Sequence, residues 1–357
     1  MVAPVVPQET AARAMRTRPV STVPHYTGRG IRPTLLVVLS ALTLLAPPFS
    51  ADAQAPANVR RIGLLHPSFS PVEIHGTLAW LSELGWVEGK NFTLRSQFAA
   101  GRDDRLPELV RSLVAARPDV ILTSGVPAVL AAKRATTTIP ILMVVEGDPI
   151  RSGLVASLAR PGGNVTGLTL LVPELSGKRL QLLKEAVPGL RQVAVLWNPS
   201  DLSKSEEWEQ IGTAGRAIGL QVQPFEVRDR EALASAFEAA AKAGAGAVMV
   251  VGGALTYAHA RVIADLAKKT RLPVMYPSTW FVVPFKHGGL MSYAPREVDI
   301  TRRMAAYLDK LLKGVPPADL PVEQPAEFEL VVDLKAARAI GLRLPRAFLA
   351  RADKVIE

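Results

Sequence analysis

The sequence predicts an α/β protein of two similar Rossmann-like lobes, each a parallel sheet covered by helices. Three observations predict it. Short apolar runs alternate with amphipathic helical patterns along most of the chain. The order of these elements repeats. Arg61 corresponds to Gln192, Thr93 to Val222, Val120 to Ala247 and Pro140 to Pro273, at spacings of 131, 129, 127 and 133 residues. The chain has 357 residues, enough for two sizeable cores.

Each element has its own signal. Residues 61–65, RIGLL, are a continuous apolar run, as expected of a strand buried on both faces. A helix is expected over 72–84, with Ile74, Leu78 and Leu81 on one face. Residues 92–98, FTLRSQF, alternate as a strand. Leu106, Leu109, Val110, Leu113 and Val114 share a helix face, with Asp103 or Asp104 expected as the cap and Pro107 in the first turn. Residues 119–125 and 139–145 are strands three and four. The second half repeats the series with strands at 192–197, 220–227, 246–253 and 272–276, and helices between them. Asp229 is expected to cap one of these helices, and another is expected over 256–269. Beyond them come a short strand within 286–295, a helix carrying Ile300, Met304, Tyr307 and Leu311, a Pro-rich linker, and a strand at 327–332 followed by an Asp333-capped helix.

Residues 158–170, LARPGGNVTGLTL, lie between the two series. Phosphate loops follow a strand and open a helix, and here the order is reversed. The NVT acceptor triplet falls at the start of a buried run, which argues against glycosylation. The stretch is expected to connect the lobes, with Asn164 and Thr166 near the ligand. Segments near 166–171, 285–289 and 316–327 are expected to be the lobe connections.

Composition narrows the function. The chain has no cysteine, which excludes disulfides, a thiol nucleophile and Cys-ligated metal. Its formal charge is +10, but the basic residues are scattered and form no stripe with interleaved aromatics, so no nucleic-acid partner is expected. No GxSxG or HExxH is present, and His25, His66, His75, His259 and His287 show no ligand spacing. No catalytic residue, cofactor or metal is therefore expected. Residues 34–46, TLLVVLSALTLLA, are uncharged and too short for a membrane-spanning helix, which needs about 20 residues. Arginines precede them, and Pro47, Pro48 and two small-x-small sites follow. Residues 1–55 thus read as a cleavable secretory signal peptide, and the absence of cysteine leaves no lipid anchor.

Several long segments carry a family resemblance. They are LGWVEGKNFTL, RLPELVRSLVAARPDVILTSG, IPILMVVEGDPIRSGLVASLARPGGNVTGLT, KRLQLLKEAVPGLRQVAVLWNP, GGLMSY, LLKGVPPADLPVEQPAEFELVVDLKAARAIGL and LARADKVIE. With them the chain resembles bacterial ABC-transporter substrate-binding proteins of the TrpX-like group, from about residue 61 to its end. The resemblance implies a type I periplasmic-binding-protein fold with a three-segment hinge. It also implies a periplasmic monomer that captures a small solute for an inner-membrane ABC permease. An amino acid or related carboxylate, with an aromatic side chain among the options, is the expected ligand. A ligand-sensing module of a signalling system and, further off, an α/β enzyme are the alternatives. The expected division is residues 58–168 plus 289–357 as the N-terminal lobe and 169–288 as the C-terminal lobe. Two positions depart from the family pattern: Ala294 replaces a usual Gly, and Asp333 a usual Asn.

Ligands of open parallel sheets sit beyond the carboxyl ends of the strands. That rule places the cleft at Ser68, Phe69, Ser124, Gly125, Glu146, Asp148, Asn198, Tyr276, Ser278 and Tyr293, with Asn164 and Thr166 near the hinge. Ser68, Ser124 and Ser278 precede helices and suit a carboxylate. Glu146 and Asp148 suit an ammonium group, and the aromatics suit a flat or apolar side chain.

Overall fold

The computed structural model describes residues 59–68, 72–170, 172–201, 204–283 and 288–357; the expected signal peptide and Phe69 lie outside them. The first sheet has five parallel strands in the order β2-β1-β3-β4-β5. They are β1 Arg60–His66, β2 Phe92–Phe98, β3 Val120–Ser124, β4 Ile141–Val145 and β5 Val165–Thr169. Helices α1 (Val72–Glu83), α2 (Leu106–Ala115) and α3 (Val126–Ala135) lie between them in sequence. Successive side chains on a strand point to opposite faces, so each sheet buries two apolar surfaces. Ile121 packs with Leu109, Leu113 and Val129 on one face, while Leu122 packs with Ile74 and Leu81 on the other. Near-continuous apolar runs such as ILMVV are what this double burial demands.

The second sheet repeats the pattern and extends it. Strands β6 (Gln192–Trp197), β7 (Gln221–Glu226), β8 (Ala247–Val250), β9 (Val274–Tyr276) and β10 (Met291–Pro295) run in the order β7-β6-β8-β9-β10. This is the order of the first sheet. Strand β11 (Phe328–Asp333) is antiparallel to β10, and β12 (Lys354–Ile356) completes the edge. The covering helices are α4 (Val172–Ala186), α5 (Ser205–Ala217), α6 (Ala232–Lys242), α7 (Ala254–Ala258) and α8 (Ala260–Thr270). Asp229 Oδ1 accepts the Ala232 N–H at 2.8 Å, as its capping role requires. The helix expected over 256–269 is instead two, broken at His259. Asp103 does not cap α2 with its side chain; it opens a 3₁₀ turn, Asp103–Arg105, ahead of that helix.

The chain crosses between the sheets three times. It leaves β5 for α4, leaves β10 for α9 (Glu297–Leu312), and returns by way of Glu323 to β11. Helix α9 covers the first sheet through Ile300, Met304, Leu308 and Leu311, and the Trp86 indole donates to its Asp309 at 2.9 Å. Two expectations are corrected here. Residues 289–357 do not all belong to the first lobe, because β10, β11 and β12 pair into the second sheet. Strand β10 is the second lobe's fifth strand, the counterpart of β5, so the duplicated unit ends with it and the chain leaves that sheet there, to return for β11 and β12. For the same reason the second crossing falls at Arg296, between β10 and α9, and not within 285–289.

Strand β5 needs its glycine. Gly167 has φ +141, and a Cβ there would stand 2.0 Å from the Met143 carbonyl oxygen of β4. Asp333 accepts the Ala336 N–H at 2.9 Å and caps α10 (Leu334–Ala339), so the departure from Asn costs the cap nothing.

Candidate ligand-binding site

A cavity of about 170 Å³ lies between the two sheets, beyond the carboxyl ends of β1, β3 and β4 on one side and of β6, β8, β9 and β10 on the other. That is room for on the order of ten waters, the scale of one small solute. Its floor is apolar: Leu64, Leu122 and Val144 from the first sheet, Ile74 from α1, and Ile300 and Met304 from α9. Its rim is polar, with His66, Ser68, Asp103 and Ser124 from the first lobe and Asp201, Lys204 and Tyr257 from the second.

The sequence-derived site residues divide into two groups. Ser68, Ser124, Gly125, Glu146 and Ser278 all line the cavity. Ser278 is partly committed, because its Oγ accepts the Trp280 N–H at 3.2 Å. Gly125 spends its N–H on the Val144 carbonyl at 2.9 Å. Asp148, Asn164, Thr166, Asn198, Tyr276 and Tyr293 are not among the lining residues. Asp148 Oδ1 accepts the N–H groups of Ile150 and Arg151, so it holds a turn. Asn164 donates to the Thr136 and Ile139 carbonyls, and Thr166 to that of Leu320. Asn198 Oδ1 accepts the Ser200 N–H. The Tyr276 ring stacks on Phe281 within the second lobe's core, and Tyr293 stacks on Phe328. Phe69 falls outside the described residues.

Glu146 is not free to take an ammonium group from a ligand. Its Oε2 accepts from Lys204 Nζ at 2.6 Å and its Oε1 from the Tyr257 hydroxyl at 2.6 Å, and both partners belong to the second lobe. Burial alone would push the Glu146 carboxyl up, but the Lys204 ammonium and the Tyr257 hydroxyl outweigh it and hold the carboxyl below its ordinary range. Burial likewise pulls Lys204 down, and Glu146, Glu207 and Asp201 together hold it above its usual value.

Beneath this pair lies a second buried one. Arg179 Nη1 stands 3.8 Å from Glu207 Oε1, while Arg179 Nε and Nη2 donate to the Tyr293 and Pro277 carbonyls at 2.8 and 2.7 Å. Burial raises the Glu207 carboxyl despite Lys204 and Arg179 beside it. Two buried cations thus face the two buried carboxylates of Glu146 and Glu207, with Asp201 a third carboxylate beside Lys204, so Glu146 and Glu207 are paired without a ligand.

Three rim residues outside the sequence-derived set, Asp103, Asp201 and His66, matter more than those misplaced, and of them His66 ends a strand that points at the cleft. Asp103 Oδ1 is buried without a hydrogen-bond partner, and its carboxyl is pushed up to about 6 by burial, then by Asp201 and Asp104. Asp201 faces the same cavity from the opposite lobe. His66 Nδ1 accepts the Ser68 N–H at 3.1 Å, which leaves the proton on Nε2. Burial pulls His66 down to about 4, so it is neutral at physiological pH. The only sequence signal for Asp103 was its place ahead of α2, and that signal pointed to a cap. Among the described residues no group of three His, Asp or Glu side chains could hold a metal ion.

The chain is similar to several known proteins in sequence and fold. A family model described as ABC transporter substrate binding protein matches residues 62–356. A tyrosine-binding protein of Clostridioides difficile (strain R20291) is 22% identical over 281 residues, covering 78% of this chain and 79% of that protein. A solved conserved domain protein of Vibrio cholerae is 26% identical and superposes with a TM-score of 0.75, over 83% of this chain and 99% of its own. An ABC domain from Streptococcus pneumoniae in complex with L-Trp superposes with a TM-score of 0.74 at 24% identity, over 84% of this chain and 100% of its own.

Proposed function

This chain belongs to the ABC transporter substrate-binding protein family, and from that premise we propose that it captures one amino acid with an aromatic or apolar side chain for an ABC permease. The observation that carries the reading is the cavity itself. It is walled by both lobes, apolar at its floor and polar at its rim. The floor of Leu64, Ile74, Leu122, Val144, Ile300 and Met304 suits a side chain with little hydrogen-bonding capacity. The rim suits the two charged ends of an amino acid. Nε2–H of His66 and the hydroxyls of Ser68 and Ser124 are donors, fit for a carboxylate. Asp103 and Asp201 bring acceptors to the same cavity, fit for an ammonium group. Two relatives are named for, or complexed with, tyrosine and tryptophan, which supports the same ligand class.

The three crossings, beyond the end of β5 at Thr169, at residue 296 and over 323–328, would serve as the hinge, with the lobes closing over the ligand. Residues 1–55 would direct export, and the mature chain would act in the periplasm as a soluble monomer without a lipid anchor. A thermal-shift screen of the mature chain against the twenty amino acids tests the ligand class. Aromatic or large apolar amino acids should raise the melting temperature by mass action. A response to sugars or nucleosides, with none to any amino acid, would replace the reading.

A further inference from the structure

We propose that Glu146 is the latch that holds the two lobes together, docking in a receptor that the second lobe builds from Lys204, Tyr257 and Gly252. The inference rests on the reading that the chain works by lobe closure, and it names the contact that governs that closure.

Four observations support it. Glu146 follows the last residue of β4 and so belongs to the first lobe, whereas Lys204, Gly252 and Tyr257 follow β6 and β8 in the second. Both carboxylate oxygens are used, each by a different donor across the cleft, at 2.6 Å. The Glu146 and Lys204 side chains are 14% and 10% exposed, so the pair is shielded from the water and salt that weaken surface ion pairs. The receptor is also shaped for its occupant. A Cβ on Gly252 would stand 2.8 Å from Glu146 Oε2 and 3.0 Å from Oε1, so the carboxylate rests where any other residue would put a side chain.

The receptor is held in place by its own lobe. The Tyr257 ring packs against Phe281 and Trp280 at 5.1 and 5.8 Å, which fixes where its hydroxyl points. Lys204 sits just ahead of α5, its backbone N–H bonded to the Asp201 carbonyl. When the lobes part, all three groups stay with the second lobe and Glu146 leaves with the first. Opening therefore exposes two opposite charges that closure had paired. Each charge must recover its hydration as the lobes separate, and escape of a bound ligand has to wait for that step.

Gly252→Ala isolates the latch. Gly252 does not adopt a positive φ, so alanine is compatible with its backbone, and the substitution removes no charge and no hydrogen bond within either lobe. It only places a methyl group where the carboxylate docks. Glu146→Gln keeps the shape and loses the charge. Each chain is first melted to establish that it folds. Should Gly252→Ala fail to fold, Glu146→Gln and Tyr257→Phe carry the same comparison.

Small-angle scattering from the ligand-free chains is the first readout. The unaltered chain should have a radius of gyration smaller than that of either variant, by an amount on the order of an ångström. Stopped-flow fluorescence with L-tyrosine and L-tryptophan as probes is the second. Dissociation should be at least about tenfold faster from the variants, with association to Gly252→Ala, whose altered residue does not line the cavity, within about threefold of the unaltered chain. Superimposable scattering profiles for all three chains overturn the latch, whether or not either probe binds. Equal dissociation rates from all three overturn it as well. Failure of both probes to bind the unaltered chain would count against the proposed ligand, and the ligand-free scattering would still decide the latch.

Discussion

The hydroxyl of Thr166, in β5, donates to the carbonyl of Leu320 at 2.7 Å, across 154 residues of sequence. The bond ties the strand before the first crossing to the segment that leads into the third. Around it, Glu323 accepts the Thr169 N–H at 3.0 Å and gives its own N–H to the Gly167 carbonyl at 3.0 Å. Replacing Thr166 by Val keeps the shape but leaves a buried carbonyl without its donor. The chain should lose about 1–3 kcal/mol of stability in urea denaturation. Ligand-induced thermal shifts should not change, because Thr166 does not line the cavity. A lost ligand response with unaltered stability would return Thr166 to the binding site.

Tyr276 gives a prediction of the opposite sign. Its ring is buried on Phe281, and its hydroxyl is buried with no hydrogen-bond partner. Burial pushes that phenol well above its usual value, the mark of a polar group in apolar surroundings. Tyr276→Phe removes the unsatisfied group and keeps the ring. It should stabilise the chain by about 1 kcal/mol in chemical denaturation and leave ligand affinity unchanged. Loss of stability would mean that the hydroxyl has a partner in solution.

These two residues also show where the sequence was legible and where it was not. The bounds of β2 and β6 agree with the alternating stretch at 92–98 and the apolar run at 192–197, because one buried face marks every second residue of a strand and two buried faces mark consecutive ones. The duplication was legible for the same reason. Strand ends were legible too, but not the direction of the side chains at them. Tyr276 ends β9 and Tyr293 lies midway along β10, and the rings of both turn into packing within the second lobe. Asp148 shows a different limit: a local turn and an ammonium site ask for the same carboxylate, and nearby N–H groups claim it. Glu146 was read as facing the cleft, and it does, but its partners lie 58 and 111 residues away. No periodicity encodes such a meeting. It exists only once two separately folded sheets face each other.

The buried pair of Arg179 and Glu207 should behave as a unit. Arg179 also holds the Tyr293 and Pro277 carbonyls, so it fastens α4 to the middle of β10 and to the residue after β9. Arg179→Met strands the buried Glu207 carboxylate with only Lys204 and the Ser176 hydroxyl beside it, leaves the Tyr293 and Pro277 carbonyls without their donor, and should cost about 3–5 kcal/mol. Adding Glu207→Gln to that variant should recover part of the loss, since the stranded charge is then gone. A double-mutant cycle by urea denaturation measures the coupling. Strict additivity of the two single losses would show that the residues act independently.

Asp103 ties ligand capture to pH. In the ligand-free chain its carboxyl titrates at about 6, raised from 3.8 by burial, then by Asp201 across the cleft and by Asp104. The folded chain therefore holds a proton between those values that the unfolded chain has released. Its contribution to stability is present at low pH and is lost as pH rises through 6. Asp103→Asn should remove that slope from a pH series of melting curves. Binding has the opposite dependence. A ligand ammonium beside Asp103 favours the anion, so binding at pH 6 should expel a proton, and affinity should fall as pH drops from 7 to 5. In the ligand-free chain His66 contributes no charge over that range, because burial holds it near 4. Calorimetry at pH 6 in two buffers of different ionisation enthalpy measures the proton directly. Release from the unaltered chain and none from Asp103→Asn is the expected result. Proton uptake, or no proton exchange by the unaltered chain, would mean that the ligand's cationic end lies elsewhere in the cavity.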